Sequence, residues 1–262
     1  MIRITFLLRA KSGLPKSEFY DYWLNQHGPL VASVAGDLNM LRYVQVHTLQ
    51  DEEAQLANKG MADARGGMEL PYDGVAEVYF ENREQLLAGL ATDAGKKAGA
   101  LLVADEAKFI DLASSPLWLG YEYPQVNATP ENLVATTHSN LVKLYFPLRA
   151  QRELGEDAAQ AYWRHNHGPI IRRQADCSGI MRYVQVHRAD DELEAQLRSG
   201  RGTAVEPYTG HAELWFDRSV LGQATPERRA AGARAITDES TFIDFPRSAI
   251  WLAKEHVFVD HR

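Results

Sequence analysis

The amino-acid sequence predicts an α+β chain made of two copies of one unit, with their sheets packed together as an intramolecular α/β barrel. Three observations predict this: an internal repeat, an order of strands and helices shared by both copies, and a sheet face that neither copy can cover alone. The repeat is direct. Tyr22-Trp23 and His27-Gly28-Pro29 recur as Tyr162-Trp163 and His167-Gly168-Pro169, an offset of 140, and the run Arg42 to His47 recurs letter for letter as Arg182 to His187. Pro71 to Glu77 matches Pro207 to Glu213 at an offset of 136, and Phe109-Ile110-Asp111 matches Phe242-Ile243-Asp244 at 133. Shrinking offsets mean deletions between matched blocks, where loops tolerate them. The division expected is a first repeat over 1–124, a polar linker over 125–138, and a second repeat over 139–262.

In the first copy, Ile2 to Arg9 reads as a strand, rich in β-branched and apolar residues. Pro15 to Gln26 reads as a helix that Gly28-Pro29 stops, with a short helix resuming over Leu30 to Val34. Leu41 to Leu49 is a strand. The acidic, Gly-rich stretch 50–72 is read as a long loop, Val75 to Phe80 as a strand, Arg83 to Val103 as a helix and Leu117 to Tyr123 as a last strand. The order is β-α-β-β-α-β, the ferredoxin-like pattern. Such a unit carries helices on one sheet face only. Two copies in one chain can bury each other's bare faces, which is a physical reason for the duplication.

Composition narrows the function. Of 262 residues, 45% are hydrophobic and 24% charged, an ordinary globular balance, and the net charge is −7. That charge, with no Lys/Arg run, argues against nucleic acid as a partner. The one cysteine, Cys177, precludes a disulfide within the chain and a Cys-rich metal site. No run approaches the ~20 apolar residues of a membrane span, and the N-terminal apolar stretch is too short for a signal peptide. A cytoplasmic protein with no membrane association is expected.

The chemistry-bearing residues fall on two elements. Along the first helix, Phe19, Tyr22, Trp23, Gln26 and His27 share one face; the second copy places Tyr162, Trp163, Asn166 and His167 there. His27 and His167 are expected at a helix C-terminus, beside an aromatic groove, where the dipole favours an imidazolium. Packing or capping of a backbone carbonyl is the equally weighted alternative. On the second strand, alternation aligns Tyr43, Gln45 and His47, and in the other copy Tyr183, Gln185 and His187. On the third strand, Glu77 shares a face with Val75 and Tyr79; the second copy reads His211, Glu213 and Trp215. Should these polar faces coincide, each half offers Tyr, Gln, His and Glu together, and a Glu beside a His sets imidazole orientation and proton affinity. The competing reading is an inter-sheet hydrogen-bond network that fixes how the halves dock, and it is favoured for Gln45, Gln185, Glu77 and Glu213.

No metal site is expected: no HExxH occurs, and His165 with His167 form an H-x-H that points to different helix faces. No glycine-rich nucleotide motif follows a strand. No cofactor is expected.

The motif Phe19-x-x-Tyr22-Trp23-x-x-x-His27-Gly28-Pro29, then Arg42-Tyr43 opening a strand, then Asp105 to Asp111 before the last strand, resembles the EthD-domain family of the dimeric α/β barrel superfamily. The resemblance covers both halves, nearly all of the chain outside the linker. The second copy departs in having Ala159 for Phe19 and Ala249 for Pro116. The resemblance implies a tandem ferredoxin-like barrel with a pocket between sheet and helices, and His27 with its equivalent His167 as the marked positions. Relatives in that superfamily include cofactor-free monooxygenases, cyclases, dehydratases and haem proteins.

The function expected first is a cofactor-independent lyase or dehydratase acting on a small hydrophobic, oxygenated or aromatic substrate. Its acid–base groups come from His27, His167, Tyr43, Tyr183, His47, His187, Glu77, Glu213 and His211. Trp23, Trp163, Phe19, Tyr22, Tyr162, Gln45, Gln185 and Trp215 line the substrate. The alternatives are a cofactor-free monooxygenase and a non-catalytic carrier of apolar ligands. His211 in place of Val75 tilts the expectation towards the second half as the active one, whereas the 50–72 stretch, with Met61 and Met68, suggests a lid over the first. A homodimer is optional for a chain that closes its own barrel.

Overall fold

The computed structural model describes residues 1–127, 133–222 and 225–262. In the first half the apolar run Ile2–Leu8 forms β1, buried along its whole length. Helix α1 (Lys16–Tyr22) follows Pro15, whose φ of −57° already suits a helix start. The chain does not stop at Gly28-Pro29. A π turn, Trp23–His27, leads directly into α2, Gly28–Val34. The Gly28 N–H reaches back to the Trp23 carbonyl, so Pro29, which has no N–H to donate, is absorbed in the first turn of α2. His27 therefore lies inside a continuous helical segment, and the expected dipole at a helix C-terminus does not act on it. The widened turn also leaves Gln26 and Asn166 exposed while Trp23, His27, Trp163 and His167 stay buried.

Strand β2 (Arg42–Thr48) is followed by a helix, α3 (Glu52–Asp63), where the sequence suggested a loop. The Asp51 carboxylate caps the Ala54 N–H, two glutamates sit in the first turn, and the helix gives out before Gly66 and Gly67, both at positive φ. Then come β3 (Gly74–Phe80), α4 (Arg83–Ala91), α5 (Asp93–Phe109) and β4 (Leu117–Asn127). The single helix predicted over Arg83 to Val103 is broken at Thr92, whose hydroxyl caps the Gly95 N–H. Residues 125–127 of the expected linker lie in β4; residues 128–132 of it fall outside the described residues, and 133–138 have no regular element.

The second half repeats the plan: β5 (Leu141–Leu148), α6 (Glu156–Tyr162), a π turn (Trp163–His167), α7 (Gly168–Ser178) and β6 (Arg182–Arg188). Helix α8 (Glu192–Arg201), β7 (Gly210–Asp217), α9 (Pro226–Glu239) and β8 (Trp251–Asp260) complete it. Each half thus has a helix between its second and third strands, α3 or α8, that the β-α-β-β-α-β reading lacks.

The eight strands close into one antiparallel barrel in the order β1-β3-β2-β8-β5-β7-β6-β4. Within each half the order is fourth, first, third, second; the halves join edge to edge, β2 to β8 and β4 to β6. The bare faces become the barrel interior, which at eight strands is just filled by side chains.

Register corrects one expectation about the site. Val44 lies opposite Glu77, and Gln45 opposite Ala76. Directly opposed residues point to the same side of a sheet. Tyr43, Gln45 and His47 therefore face outward to the helices, whereas Glu77 and Tyr79 face inward. The two polar faces do not coincide; the same holds in the second half, where Val184 lies opposite Glu213.

Inside the barrel the charged groups pair with one another across the halves. Arg3 donates to Glu213 at 2.6 Å and Lys143 to Glu77 at 2.7 Å, with Glu255 3.2 Å from Lys143. Tyr79 donates to Glu77 at 2.8 Å and Trp215 to Glu255 at 2.9 Å. All of these side chains are buried. Isolated charges there would be expensive, and these are tolerated because each has partners. Aromatic rings fill the rest, Tyr145 stacking on His211 at 4.5 Å and lying 5.5 Å from Trp251.

Candidate active site

The outward face of the first half, under its helices, holds a cavity of about 260 Å³. Its floor is the strand face of Ile4, Phe6, Ala76, Val78 and Phe80, its walls include Val31, Leu38 and Leu102, and its polar groups are few. Such an apolar recess with a small number of convergent polar groups is the usual form of a small-molecule site. His27 and Tyr43 line it, as does Trp23.

His27 reaches the cavity because the π turn carries it one residue past Trp23's turn of helix and onto α5. Its Nδ1 lies 2.8 Å from an Asp105 oxygen, and the ring packs 5.1 Å from Phe109. Asp105 also accepts from the Tyr22 hydroxyl at 2.7 Å and the Lys108 ammonium at 2.7 Å. Burial alone would raise the Asp105 pKa; the hydrogen bonds from Lys108, His27 and Tyr22 outweigh it and lower it. A carboxylate held ionised against Nδ1 fixes that nitrogen as the N–H, and Nε2, which has no protein partner among the described residues, is left as the basic nitrogen.

Tyr43 is set differently. Its hydroxyl oxygen accepts from Trp23 Nε1 and from Gln45 Nε2, both at 3.3 Å. Among the described residues no acceptor takes its own proton, which leaves that proton for an acceptor in the cavity. Burial pushes its acidity down, so it stays a neutral donor. Gln45 also donates to the Trp23 carbonyl at 2.7 Å, pinning the π turn to β2. Glycine is needed beside this: a Cβ on Gly74 would lie 2.4 Å from the Trp23 ring and 2.6 Å from the Val46 carbonyl oxygen.

The other expected residues sort by position. His47 stacks on Trp23 at 4.3 Å and meets the Gln45 side-chain oxygen at 2.9 Å; burial, then the neighbouring His256, lowers its pKa well below normal. It supports Trp23 and does not line the cavity. Phe19 packs 5.6 Å from both Trp23 and Phe109, behind the lining, and Tyr22 serves Asp105. Glu77, Glu213, His211 and Trp215 lie in the barrel interior, on the far side of the sheet. Burial drives the His211 pKa down to about 3 and raises Glu77 to about 7, the charge of Glu213 adding to the latter. Glu77, His211 and Glu213 bring ligand atoms within 4.8 Å of one another, the spacing of a metal site. Arg3, 2.6 Å from Glu213 and 2.7 Å from His211, fills that position with positive charge, so the donor set does not suit a cation.

The second half copies the frame, with apolar side chains packed around it. His167 Nδ1 lies 2.7 Å from Asp238, which accepts from Tyr162, and Trp163 donates to Tyr183 at 2.9 Å. Gln185 donates to the Trp163 carbonyl at 3.0 Å, and His187 stacks on Trp163 with its pKa lowered to about 3 by burial. Here Phe245, Met61 and Met68 pack into the core that surrounds Trp163 and Tyr183. His211, on which the sequence tilt towards the second half rested, faces the barrel interior, and the stretch with Met61 and Met68 covers the second half, not the first. The first half is covered instead by α8, which contributes Leu193, Leu197 and Arg201 to its cavity.

Asp105, Asp238 and the Arg201–Glu106 pair were not foreseen as site residues. A signal existed: Asp105-Glu106 and Asp238-Glu239 recur together in the two copies.

The whole chain aligns with solved structures of the same architecture. An anthrone oxidase-like protein matches with a TM-score of 0.56 at 9% identity, over 100% of this chain and 94% of that one. A provisionally assigned monooxygenase from Fusobacterium nucleatum matches with a TM-score of 0.51 at 9% identity, over 98% and 93%. At such identity the likeness speaks for the fold alone. No curated protein sequence matches the chain. The EthD domain model, however, matches twice, over residues 11–113 and 151–246, each match spanning the π-turn histidine and its aspartate. With most of its length so matched, once in each half of the barrel, the chain belongs to the EthD domain family.

Proposed function

We propose that the first-half cavity is an acid–base site that removes a proton from carbon next to a carbonyl in a small apolar, aromatic substrate. The observation that carries this is the His27–Asp105 pair on the wall of an apolar cavity that Tyr43 also lines. His27 Nε2 takes the proton; the electron pair moves onto the carbonyl oxygen as an enolate; Tyr43 donates a hydrogen bond to that oxygen. In the lyase reading, the enolate then re-forms the carbonyl, expels a β-hydroxyl, and the imidazolium returns its proton to the departing oxygen. Water and the unsaturated ketone leave, and His27 is neutral again.

One observation favours a second reading, in which the enolate meets dioxygen, as in a cofactor-free monooxygenase. Elimination wants an acid for the leaving group, and the carboxyl that lines the cavity, Glu106, is held by Arg201 at 2.8 and 2.9 Å. Only the imidazolium and Tyr43 remain for that task.

The shared first step is tested with 2-tetralone in D₂O, following loss of the benzylic C–H signal by NMR. The protein should accelerate exchange, His27→Ala should cut the acceleration ~10²–10⁴-fold, and Tyr43→Phe should cut it about 10²-fold. Exchange that is unaccelerated, or unchanged in His27→Ala, leaves only a carrier of apolar ligands. Product formation under argon as well as air then selects elimination; formation in air alone selects the oxygen reaction.

A further inference from the structure

Among the described residues the cavity lining contains one Arg or Lys side chain, and it comes from the other half of the molecule. Arg201, at the end of α8, extends over the Phe6 ring and clasps Glu106 of α5 through two nitrogens, at 2.8 and 2.9 Å. Both residues line the cavity, and the glutamate side chain is 7% exposed. Glu106 follows Asp105 directly, so one helix supplies the carboxylate for each basic group in the lining: position 105 for His27 and position 106 for Arg201. The arrangement is reciprocal. At the equivalent place in the second half, Arg65 from the first half binds Glu239 at 2.8 Å.

A guanidinium in an apolar recess would normally bind a carboxylate ligand, since Arg presents a planar fork to it. Here one edge of that fork, Nε and Nη2, is already taken by Glu106, whose carboxylate offsets the charge from within the protein. An anionic ligand would have to enter a low-dielectric space whose positive charge is neutralised, which costs desolvation without a compensating partner. Resting on the proton-abstraction reading for its location, we propose that the cavity selects uncharged aromatic carbonyl or hydroxyl compounds over carboxylates, and that Glu106 is the specificity-determining residue, acting by neutralising Arg201.

The test is binding, measured by calorimetry at pH 7 with two flat probes of equal frame, neutral 2-naphthol and anionic 2-naphthoate. Wild-type protein should prefer naphthol by about tenfold or more, ~1.4 kcal/mol per tenfold. Glu106→Gln keeps the shape, uncovers the Arg201 charge, and should shift the ratio towards naphthoate by at least about tenfold. Arg201→Met leaves a bare carboxylate and should weaken naphthoate further while naphthol holds; it also serves if Glu106→Gln does not fold. Naphthoate binding as tightly as naphthol in the wild type, or binding unmoved in either variant, overturns the proposal. No turnover enters this measurement, so this result and the tetralone exchange can fail independently.

Discussion

At the scale of single residues, the histidine at position 27 was readable and its partner was not. Position 27 stands out because a helical aromatic face ends there and the same letters return 140 positions later. Asp105 lies 78 residues away from it, and nothing in local periodicity joins the two. Helix α5, which follows β2, α3, β3 and α4 in the chain, brings the two together only in the folded molecule. The pair makes a direct prediction. Asp105→Asn keeps the size of the side chain; its one oxygen stays with the Tyr22 and Lys108 donors and its NH2 turns to Nδ1, so the imidazole loses its preferred tautomer. Tetralone exchange should fall by about 10-fold or more, within the range by which partners of a working histidine commonly act. A variant that exchanges at the wild-type rate would show that the imidazole needs no orienting partner.

At the scale of elements, the strands were legible because apolar and β-branched runs mark them, and β1, β2 and β3 begin and end within about two residues of expectation. The helix α3 was hidden by composition. Its glycine-rich end and scarce apolar residues resemble a loop, and its helical state depends on the Asp51 cap and on docking against β8. The π turns were invisible because Gly-Pro reads as a stop. They persist because β2 holds them: Gln45 and Gln185 each donate to the tryptophan carbonyl of their own turn. Replacing Gln45 by Leu leaves that carbonyl and the Tyr43 oxygen each one donor short, and should lower stability by about 1–3 kcal/mol in chemical denaturation. The identical change at Gln185 should cost a similar amount. Exchange activity should fall only for Gln45→Leu, since the first-half turn is the one that carries the proposed base on the cavity wall.

At the scale of the whole molecule, closure of the barrel was foreseen from the need to cover two bare sheet faces, and that argument is independent of any single residue. The side on which each polar group would lie was not foreseeable, because strand register cannot be read from alternation within one strand. The interior cluster that results has a pH signature. Glu77, raised to about 7 by burial and by Glu213, holds its proton in the folded state where the unfolded chain, at the ordinary 4.5, has lost it. Its stabilising contribution is complete below pH 4.5 and disappears as pH rises through 7. His187 and His211, both lowered to about 3, act oppositely and lose stability as pH falls below 6.5. The Glu77 share is isolated by difference. Glu77→Gln, which cannot ionise, should gain stability over wild type steadily from pH 5 to pH 8 in thermal melts. A difference that is flat across that interval, or that shrinks, contradicts the assignment.

The reciprocal crossing of α3 and α8 bears on how such a protein can change. The wall facing His27 is written in the gene far downstream of the histidine itself, in codons for the opposite repeat. Swapping the first repeat between relatives would transplant the reactive groups together with Glu106 yet leave behind Arg201 and the rest of the α8 wall. Any directed-evolution library meant to retune selectivity should therefore vary α8 together with α5, and a chimera joined between the repeats should pair the reactive groups of one parent with the opposing wall of the other.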